Sequence, residues 1–377
     1  MIIYENRKEC IFCKQNNLET ILDKNYSFPL GNFVVDSPEY KYFFMPYNVQ
    51  RCKNCFTIQN EYIGNLELIY NNNFAGAYGK IRNSMNELFA NFILENEDIS
   101  SISEIGAGNG DLSDIIVEKQ NIRYTIIDPS FNGNKNKKNI INSFFENCDI
   151  NQIKDNTIVM SHVFEHFYDP ISILEKFNDI NSLKYIYLSF PDLESFIKNK
   201  DYHVLNPEHT YYVDNKFIEN IFNFYNFKLN RVFFHEKHSV FFEFIKNTKK
   251  NNLPLEFPKN KDNYEDVKKF YNDLLINIEN VNNIISNTGK PVYIWPCSMH
   301  TIFAITFGLN SKYISNVLDN SLLKIDKYLY GYNLKCKSFS EIINNNTDKI
   351  VILTGGCYNK EIENISKKNS YNEVLII

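Results

Sequence analysis

The sequence predicts an α/β protein built from three units. A glycine-rich turn joins a strand pattern to a helix pattern around residues 101–117, and strand and helix patterns alternate again from residue 291 onward. Two C-x-x-C pairs precede both regions. A chain of 377 residues exceeds the usual size of one domain, so we expect units at 1–70, 71–247 and 248–377. The first is predicted to be a small β module, and the other two are predicted to be Rossmann-like.

Composition excludes several function classes. Hydrophobic residues make up 44% and charged residues 23%, as in ordinary globular proteins. The net charge is −5, and no long basic block occurs, which argues against a nucleic-acid partner. No apolar run reaches the ~18 residues of a membrane span, and the first residues lack the apolar core of a signal peptide. We therefore expect a cytoplasmic protein without membrane contact, and a monomer is favoured.

The four N-terminal cysteines predict a metal site. Cys10 with Cys13, and Cys52 with Cys55, form two C-x-x-C knuckles. Four thiolates satisfy a tetrahedral structural Zn²⁺, with no open position for chemistry. The intervening residues include a strand-like run over 40–44, which favours a β-rich module clipped by zinc. Two unrelated pairs of free cysteines, or a redox pair, are the alternatives.

Apolar residues then recur at helical spacing from Leu66 to Asn96, which predicts one long amphipathic helix before the core. Tyr78 lies near the head of this helix, between Gly76 and Gly79. It is a candidate for function, whereas most of the apolar stripe is expected to pack in the core.

The glycine turn predicts a ligand site. Glu104 ends a buried strand pattern, and Gly106, Gly108 and Gly110 allow positive φ and close approach of a ligand to the backbone. The helix predicted from Asp111 directs free N–H groups at that point. Asp128 ends the next strand about 20 residues later, which suits hydrogen bonds to a ribose diol. The same spacing also resembles dinucleotide-binding turns, and a Rossmann unit without a nucleotide remains an alternative.

Histidine and carboxylate residues follow two later strands. The run from Asn156 to Ser161 predicts a strand that leads directly into His162, and His166 at the same corner is expected to be packed. A polar loop over 201–214 contains Glu208 and His209. A histidine titrates near neutral pH, and a carboxylate beside it steadies it as a general base. A structural hydrogen-bonded pair is the alternative.

The C-terminal unit repeats the α/β pattern without the glycines. A polar linker near 249–262 precedes a helix over 264–287, and strands are predicted at 291–295, 313–319, 349–354 and 374–377. Trp295-Pro296-Cys297-Ser298 occupies the place of a dinucleotide turn, so NAD binding there is not expected.

The strand, glycine turn and Ser161-His162-Val163-Phe164-Glu165-His166 run resemble the Rossmann-like methyltransferases that use S-adenosylmethionine. The resemblance implies that Glu104 and the three glycines support the methionine and ribose parts of the donor. It implies that Asp128 holds the ribose hydroxyls, and that Ser161 and His162 line the pocket beside the reactive methyl group.

The order of all the pieces resembles the sugar C-methyltransferases, which act on nucleotide-linked keto sugars. This resemblance implies a structural zinc on the four cysteines, a small-molecule acceptor and three catalytic residues: Tyr78, Glu208 as orienting partner, and His209 as base. Tyr202, Asn206 and Tyr212 would contact the acceptor.

Two positions depart from that family. Asn206 stands where the family usually has a tyrosine two residues before the glutamate, and the C-terminal unit has lost its glycine turn. An O-methyltransferase that acts on a related glycan precursor therefore stays open. A catalytically silent module that keeps the fold is the alternative from another class.

Overall fold

The computed structural model describes residues 2–31, 34–70, 80–235, 239–247, 256–343, 348–356, 359–366 and 372–377. Tyr78, predicted to be catalytic, lies outside the described residues. All strands, helices and contacts below refer to the described ranges.

The N-terminal part folds into short strands. Their bounds are β1 Tyr4–Asn6, β2 Leu18–Thr20, β3 Tyr26–Pro29, β4 Val34–Val35, β5 Phe44–Tyr47, β6 Val49–Cys52, β7 Ile58–Asn60 and β8 Tyr62–Gly64. The strand expected over 40–44 is wrong, because β5 begins only at Phe44. Ser37 turns the chain by accepting from the amide of Glu39, and the rings of Tyr40 and Tyr42 pack against Tyr330. The Tyr40 amide also donates to the Ser37 carbonyl at 3.3 Å, so residues 37–40 form a turn instead of extending along a sheet.

Two short helices follow, namely α1 Leu66–Tyr70 and α2 Lys80–Leu94. The sequence predicted one long helix over this stretch, and residues 71–79 lie outside the description. The buried face of α2 includes Met85, Phe89 and Ile93, which pack against the first helix of the core below. The predicted amphipathic stripe is confirmed for this part.

The middle of the chain forms a Rossmann-like sheet. Its elements are β9 Ser101–Ile105, α3 Asp111–Lys119, β10 Arg123–Ile127, β11 Lys138–Ile141, β12 Thr157–Ser161, α4 Pro170–Asp179, β13 Tyr185–Pro191, α5 Leu193–Asn199, β14 Tyr211–Tyr212, α6 Asn215–Phe224, β15 Phe227–His235 and β16 Ser239–Lys246. Within the described chain, seven strands pair in the order β11-β10-β9-β12-β13-β16-β15.

The first five strands of that order are parallel, and β16 is antiparallel to both of its neighbours. The strand order reverses between β9 and β12, because the chain moves outward on one side of β9 before it returns on the other. A crevice opens at such a switch point, beyond the carboxyl ends of the strands, and open α/β sheets bind their ligands there. The turn after β9 and the corner after β12 both lie at this edge.

A second parallel sheet ends the chain. Its part comprises α7 Tyr264–Ser286, β17 Val292–Trp295, α8 Met299–Thr306, β18 Ile314–Asp319, β19 Tyr328–Leu329, β20 Cys336–Ser338, α9 Phe339–Ile343, β21 Lys349–Leu353, α10 Asn359–Ser366 and β22 Asn372–Ile376. Five of the described strands pair in the order β20-β18-β17-β21-β22. The α/β fold class predicted from the sequence is confirmed. The short strand β20 was not predicted.

The N-terminal strands bind to both other parts of the chain. Strand β14 from the middle part extends the sheet of β7, β6 and β2, and β4 pairs with β19. The Tyr26 ring stacks on Phe307 with centroids 4.2 Å apart, and the Tyr330 hydroxyl donates to the Leu30 carbonyl at 2.8 Å. One core cluster therefore holds buried side chains from all three predicted units.

None of the helices in the described ranges combines the length and the apolar character that crossing a membrane requires.

Candidate active site

The glycine turn after β9 lies open at the switch point. Gly106, Gly108 and Gly110 have φ of +68°, +57° and +85°, a region that L side chains rarely adopt. A Cβ on Gly106 would lie 2.7 Å from Val163 Cγ2, whereas a Cβ on Gly108 would meet nothing within 4 Å. The turn thus packs tightly on one side and leaves space at Gly108. Helix α3 starts directly behind it, with Asp111 and Asp114 in its first turn.

Two carboxylates flank this turn in different environments. Asp128 accepts hydrogen bonds from the Gly108 amide at 3.2 Å and the Ser130 amide at 2.8 Å, which fixes its side chain beside the open glycine. Glu104 is fully buried and accepts from the Tyr124 hydroxyl at 2.9 Å. Burial raises the pKa of Glu104 to about 7, although the Tyr124 hydrogen bond opposes the shift.

The corner after β12 places Ser161 and His162 at the same edge. The Ser161 hydroxyl is buried and has no hydrogen-bond partner within the described structure. His162 has φ of +55°, an uncommon conformation for a residue other than glycine. Its ring joins two groups, since Nδ1 lies 3.2 Å from Glu165 Oε1 and Nε2 lies 2.9 Å from Ser239 Oγ.

A tight turn presents Glu208 and His209. The Asn206 side chain accepts from the Glu208 amide at 2.8 Å and from the His209 amide at 3.3 Å, which closes the turn. His209 Nδ1 lies 2.8 Å from the Val204 carbonyl. A carbonyl only accepts, so Nδ1 carries the proton and the basic lone pair of neutral His209 lies on Nε2. The Val204 carbonyl orients the ring, and the orienting role expected of Glu208 stays a prediction.

The turn brings His209 to a second Glu-His pair. Ligand-type atoms of Glu165, His166 and His209 lie within 4.8 Å of one another, and the two imidazole rings meet edge to face with centroids 5.0 Å apart. Tyr70 adds a hydroxyl 3.1 Å from His166 Nδ1. His166 is thus packed, as expected, and the residues it packs against belong to the candidate site. The repeated Glu-His dipeptide, at 165–166 and 208–209, is the sequence signal that could have found it.

Burial shifts the pKa of several groups in and beside this cluster. It raises the pKa of Glu165 to about 7, against the opposing charge of His166, and raises that of Glu208 to about 7 as well. It lowers the pKa of His166, although Glu165 opposes this shift. A carboxyl group whose pKa lies near 7 is suited to exchanging protons with a substrate at neutral pH.

Glu165→Gln tests this burial in the ligand-free protein. Glu165 has a raised pKa when folded, so its contribution to stability is complete below its ordinary pKa of 4.5 and is lost as the pH rises through about 7. Glutamine does not titrate. We expect the stability of the variant relative to the parent to rise between pH 4 and pH 8, by at most about 3 kcal/mol in the free energy of unfolding.

Urea unfolding at both pH values measures the difference, with Glu256→Gln as the control because that side chain is 82% exposed. A Glu165→Gln difference that is the same at both pH values would contradict the raised pKa.

The remaining predicted acceptor residues support the turn or lie farther away. The Tyr212 hydroxyl lies 2.7 Å from Asn60 Oδ1 and 2.8 Å from the Asn206 carbonyl, and the side chain is buried. Asn206 uses its side-chain oxygen within the turn, as described above. Tyr202 packs against Phe270 and accepts at its hydroxyl from Asn277 at 3.1 Å. The structure therefore brings Glu208 and His209 together with residues that were not predicted, and leaves Tyr202 outside this cluster.

The four predicted cysteines converge. Cys10 Sγ lies 3.4 Å from Cys55 Sγ, Cys13 Sγ lies 3.5 Å from Cys52 Sγ, and all four sulfurs fall within 4.8 Å. Both knuckles repeat one backbone turn, in which the amide four residues after the first cysteine donates to that cysteine's carbonyl. A tetrahedral Zn²⁺ with Zn–S bonds of about 2.3 Å needs sulfurs about 3.8 Å apart, so this donor set fits zinc.

The middle of the chain matches a known protein family. Residues 78–232, less than half of the sequence, match a family model described as a methyltransferase domain. The matched range contains the glycine turn, Asp128, the corner after β12 and the Glu208–His209 turn. None of the curated proteins that were compared matches the chain.

Solved methyltransferase structures resemble part of the chain. The plantazolicin methyltransferase BpumL, in complex with a monoazolic desmethylPZN analog and SAH, is 16% identical, with 44% of this chain and 84% of that chain covered at a TM-score of 0.36. A SAM-dependent methyltransferase from Archaeoglobus fulgidus is 15% identical, with 44% and 94% covered at a TM-score of 0.34.

Proposed function

We propose that this chain, a methyltransferase that uses S-adenosylmethionine, transfers the methyl group to a nucleotide-linked keto sugar or a related glycan precursor. The observation that carries the proposal is the meeting of His209, Glu165 and His166 beside the donor-side corner of the sheet. Histidine and carboxyl groups held together in this way suit an acceptor that must lose a proton. The donor supplies an electrophilic methyl group when it is bound.

On the donor side, Asp128 is proposed to accept from the ribose hydroxyls. Its carboxylate is held by the Gly108 and Ser130 amides and points toward the open glycine turn. The turn owes its shape to Gly106 and Gly110, and Glu104 lies at the end of the strand before it. Ser161 and His162 line the crevice at the neighbouring strand end, where the unused Ser161 hydroxyl offers a further hydrogen bond.

Asp128→Asn is expected to weaken donor binding. The variant keeps the shape of the side chain but loses its negative charge, and a hydrogen bond to a charged group contributes about 1.5–3 kcal/mol. The dissociation constant for S-adenosylmethionine should rise about 10- to 100-fold by isothermal titration calorimetry. Asp149→Asn is the control, since Asp149 lies outside the crevice and caps a short turn. Unchanged affinity in Asp128→Asn would remove the ribose assignment.

On the acceptor side, His209 is proposed as the base. Its Nε2 holds the lone pair, and the Val204 carbonyl fixes the ring. A carbon next to a ketone becomes nucleophilic only after it loses a proton, so the proton passes to Nε2 and the resulting enolate takes the methyl group. The nearby Tyr70 hydroxyl, and Tyr78 by resemblance, are candidates for hydrogen bonds to the enolate oxygen. In-line placement of acceptor and donor then completes the step.

The cysteine cluster is proposed to hold a structural zinc. Four sulfurs that fit a tetrahedron leave no position for a substrate, so the metal would stabilise the N-terminal module without entering the chemistry. The module contacts the middle part of the chain through the β7–β14 pairing.

O-methylation of a glycan precursor is the second candidate. Asn206 stands where the related family usually has a tyrosine, and its side-chain oxygen is engaged in the turn. A hydroxyl acceptor needs a base but no partner for an enolate, so His209 would serve it as well. A binding module without activity is the remaining alternative.

Labelled methyl donor and a panel of acceptors test the proposal. The purified chain is incubated with nucleotide-linked 4-keto sugars and with their hydroxylated counterparts, and label in the sugar is measured by mass spectrometry. Label on a keto sugar supports the proposed acceptor, label only on hydroxylated sugars supports O-methylation, and label on neither contradicts both.

A further inference from the structure

We propose that the N-terminal module serves the acceptor half of the reaction, and that Asn60 is the residue that positions the Glu208–His209 turn. This inference rests on the proposed acceptor chemistry. It assigns the module a task beyond holding a metal.

The Asn60 side chain makes hydrogen bonds to the backbone of the Glu208–His209 turn. Its side chain is fully buried, and Nδ2 donates to the His209 carbonyl at 2.8 Å and to the Pro207 carbonyl at 3.1 Å. Its Oδ1 accepts from the Tyr212 hydroxyl at 2.7 Å. Both polar atoms of the buried Asn60 side chain therefore form hydrogen bonds to residues that lie before and after Glu208.

Backbone hydrogen bonds of β7 also hold the residues that follow this turn. The Asn60 amide donates to the Thr210 carbonyl at 3.1 Å, and β7 pairs with β14 immediately after the turn. Arg7 donates from the other side to the same Thr210 carbonyl at 3.0 Å. Burial lowers the pKa of Arg7 to about 10, so its guanidinium stays charged at neutral pH and makes a strong hydrogen bond.

The neighbour of Asn60 ties this strand to the cysteine cluster. Gln59 Oε1 accepts from the Ile11 amide at 2.7 Å, and Gln59 Nε2 donates to the Glu9 carbonyl at 3.0 Å. Ile11 lies between Cys10 and Cys13 in the first knuckle. Consecutive residues of β7 therefore hold the knuckle on one side and the catalytic turn on the other.

This chain of contacts predicts a selective effect. His209 must place its Nε2 within hydrogen-bond reach of a C–H or O–H group, and a displacement of about 1 Å costs on the order of 10²-fold in rate. The side-chain hydrogen bonds of Asn60 go to the Glu208–His209 turn and to the residues after it. The residues proposed to bind the donor lie elsewhere, on the turn after β9 and next to it. The loss of Asn60 should therefore slow turnover and leave donor binding intact.

Asn60→Ala is the test, and Asn48→Ala is the matched control. Asn48 is equally buried in the same module, and its side chain also bonds to backbone groups, but these belong to residues 22, 24 and 49. Tyr212→Phe is a milder second variant, since it removes only one hydroxyl from the Asn60 contact.

Three properties are measured for each variant. They are the kinetics of methyl transfer (kcat and KM), the dissociation constant for S-adenosylmethionine, and amide hydrogen exchange of the segment 204–214. We expect Asn60→Ala to lower kcat about 10²-fold, to speed exchange in that segment and to leave donor affinity unchanged. Tyr212→Phe should act in the same direction with a smaller effect, and Asn48→Ala should change none of the three.

Wild-type kcat and exchange in Asn60→Ala would overturn the inference, as would equal effects of Asn60→Ala and Asn48→Ala. The failure of the proposed function has a different signature, because the parent protein itself would then methylate none of the sugars. In that case amide exchange and donor affinity still decide whether Asn60 holds the turn.

Discussion

His209→Ala is expected to slow proton removal from the acceptor strongly while donor binding persists. General-base catalysis by a positioned side chain contributes about 10²–10⁴-fold, so methyl transfer should fall by that factor. Deuterium exchange at the carbon next to the ketone should fall with it, because both need the lone pair on Nε2. The Asn206 hydrogen bonds to the backbone of the turn do not involve the imidazole, so the fold should survive.

The control is His300→Ala. His300 lies in α8 of the second sheet, where its ring contacts Ser298, and it takes no part in the cluster around His209. Calorimetry with S-adenosylmethionine checks that the His209 variant still binds the donor. Full activity in His209→Ala would remove the base assignment, and a complete loss in His166→Ala alone would transfer it to His166.

Cys52→Ser is expected to cost the protein its metal and much of its stability. The parent should carry one equivalent of zinc for each chain, measured by inductively coupled plasma mass spectrometry, and the variant should carry none. Structural zinc contributes directly to folding free energy. We expect the melting temperature to fall by about 10 °C or more, since each kcal/mol is worth about 2–4 °C in a domain of 150–250 residues.

Cys148→Ser is the matched control, because Cys148 is also a buried free cysteine but lies outside the four-sulfur cluster. It should retain the metal. A parent protein that is purified without zinc and does not gain stability when zinc is added would contradict the site. Equal melting temperatures for the two variants would contradict its structural role.

Local sequence patterns predicted much of the fold. Glycines at 106, 108 and 110 require positive φ, and the flanking apolar runs have the spacing of a strand and a helix, so the turn could be located directly. Four of the five described strands of the second sheet were recognised from apolar runs, and β20 was missed. The strand expected over 40–44 failed because a turn closes at residues 37–40, and the chain pairs as a strand only from Phe44 onward.

The acceptor side of the site could not be predicted in full from local sequence patterns. Glu208 and His209 could be singled out as a pair, but the Val204 carbonyl orients the His209 ring, and no spacing rule predicts that contact. His166 and Tyr70 join the site only after the sheet and the N-terminal module have come together. Asn60 resembles any strand asparagine in the sequence, and only its bonds to residues 207 and 209 reveal its position.

The most direct test of the account is proton exchange by the parent protein in deuterated water. The chain is incubated with S-adenosylhomocysteine and a nucleotide-linked 4-keto sugar, so that the acceptor can be deprotonated but not methylated. If His209 forms the enolate, deuterium should appear at the carbon next to the ketone, at a rate that depends on His209. Methyl transfer from S-adenosylmethionine to the same sugar without any such exchange would contradict carbon methylation and the enolate role of this site.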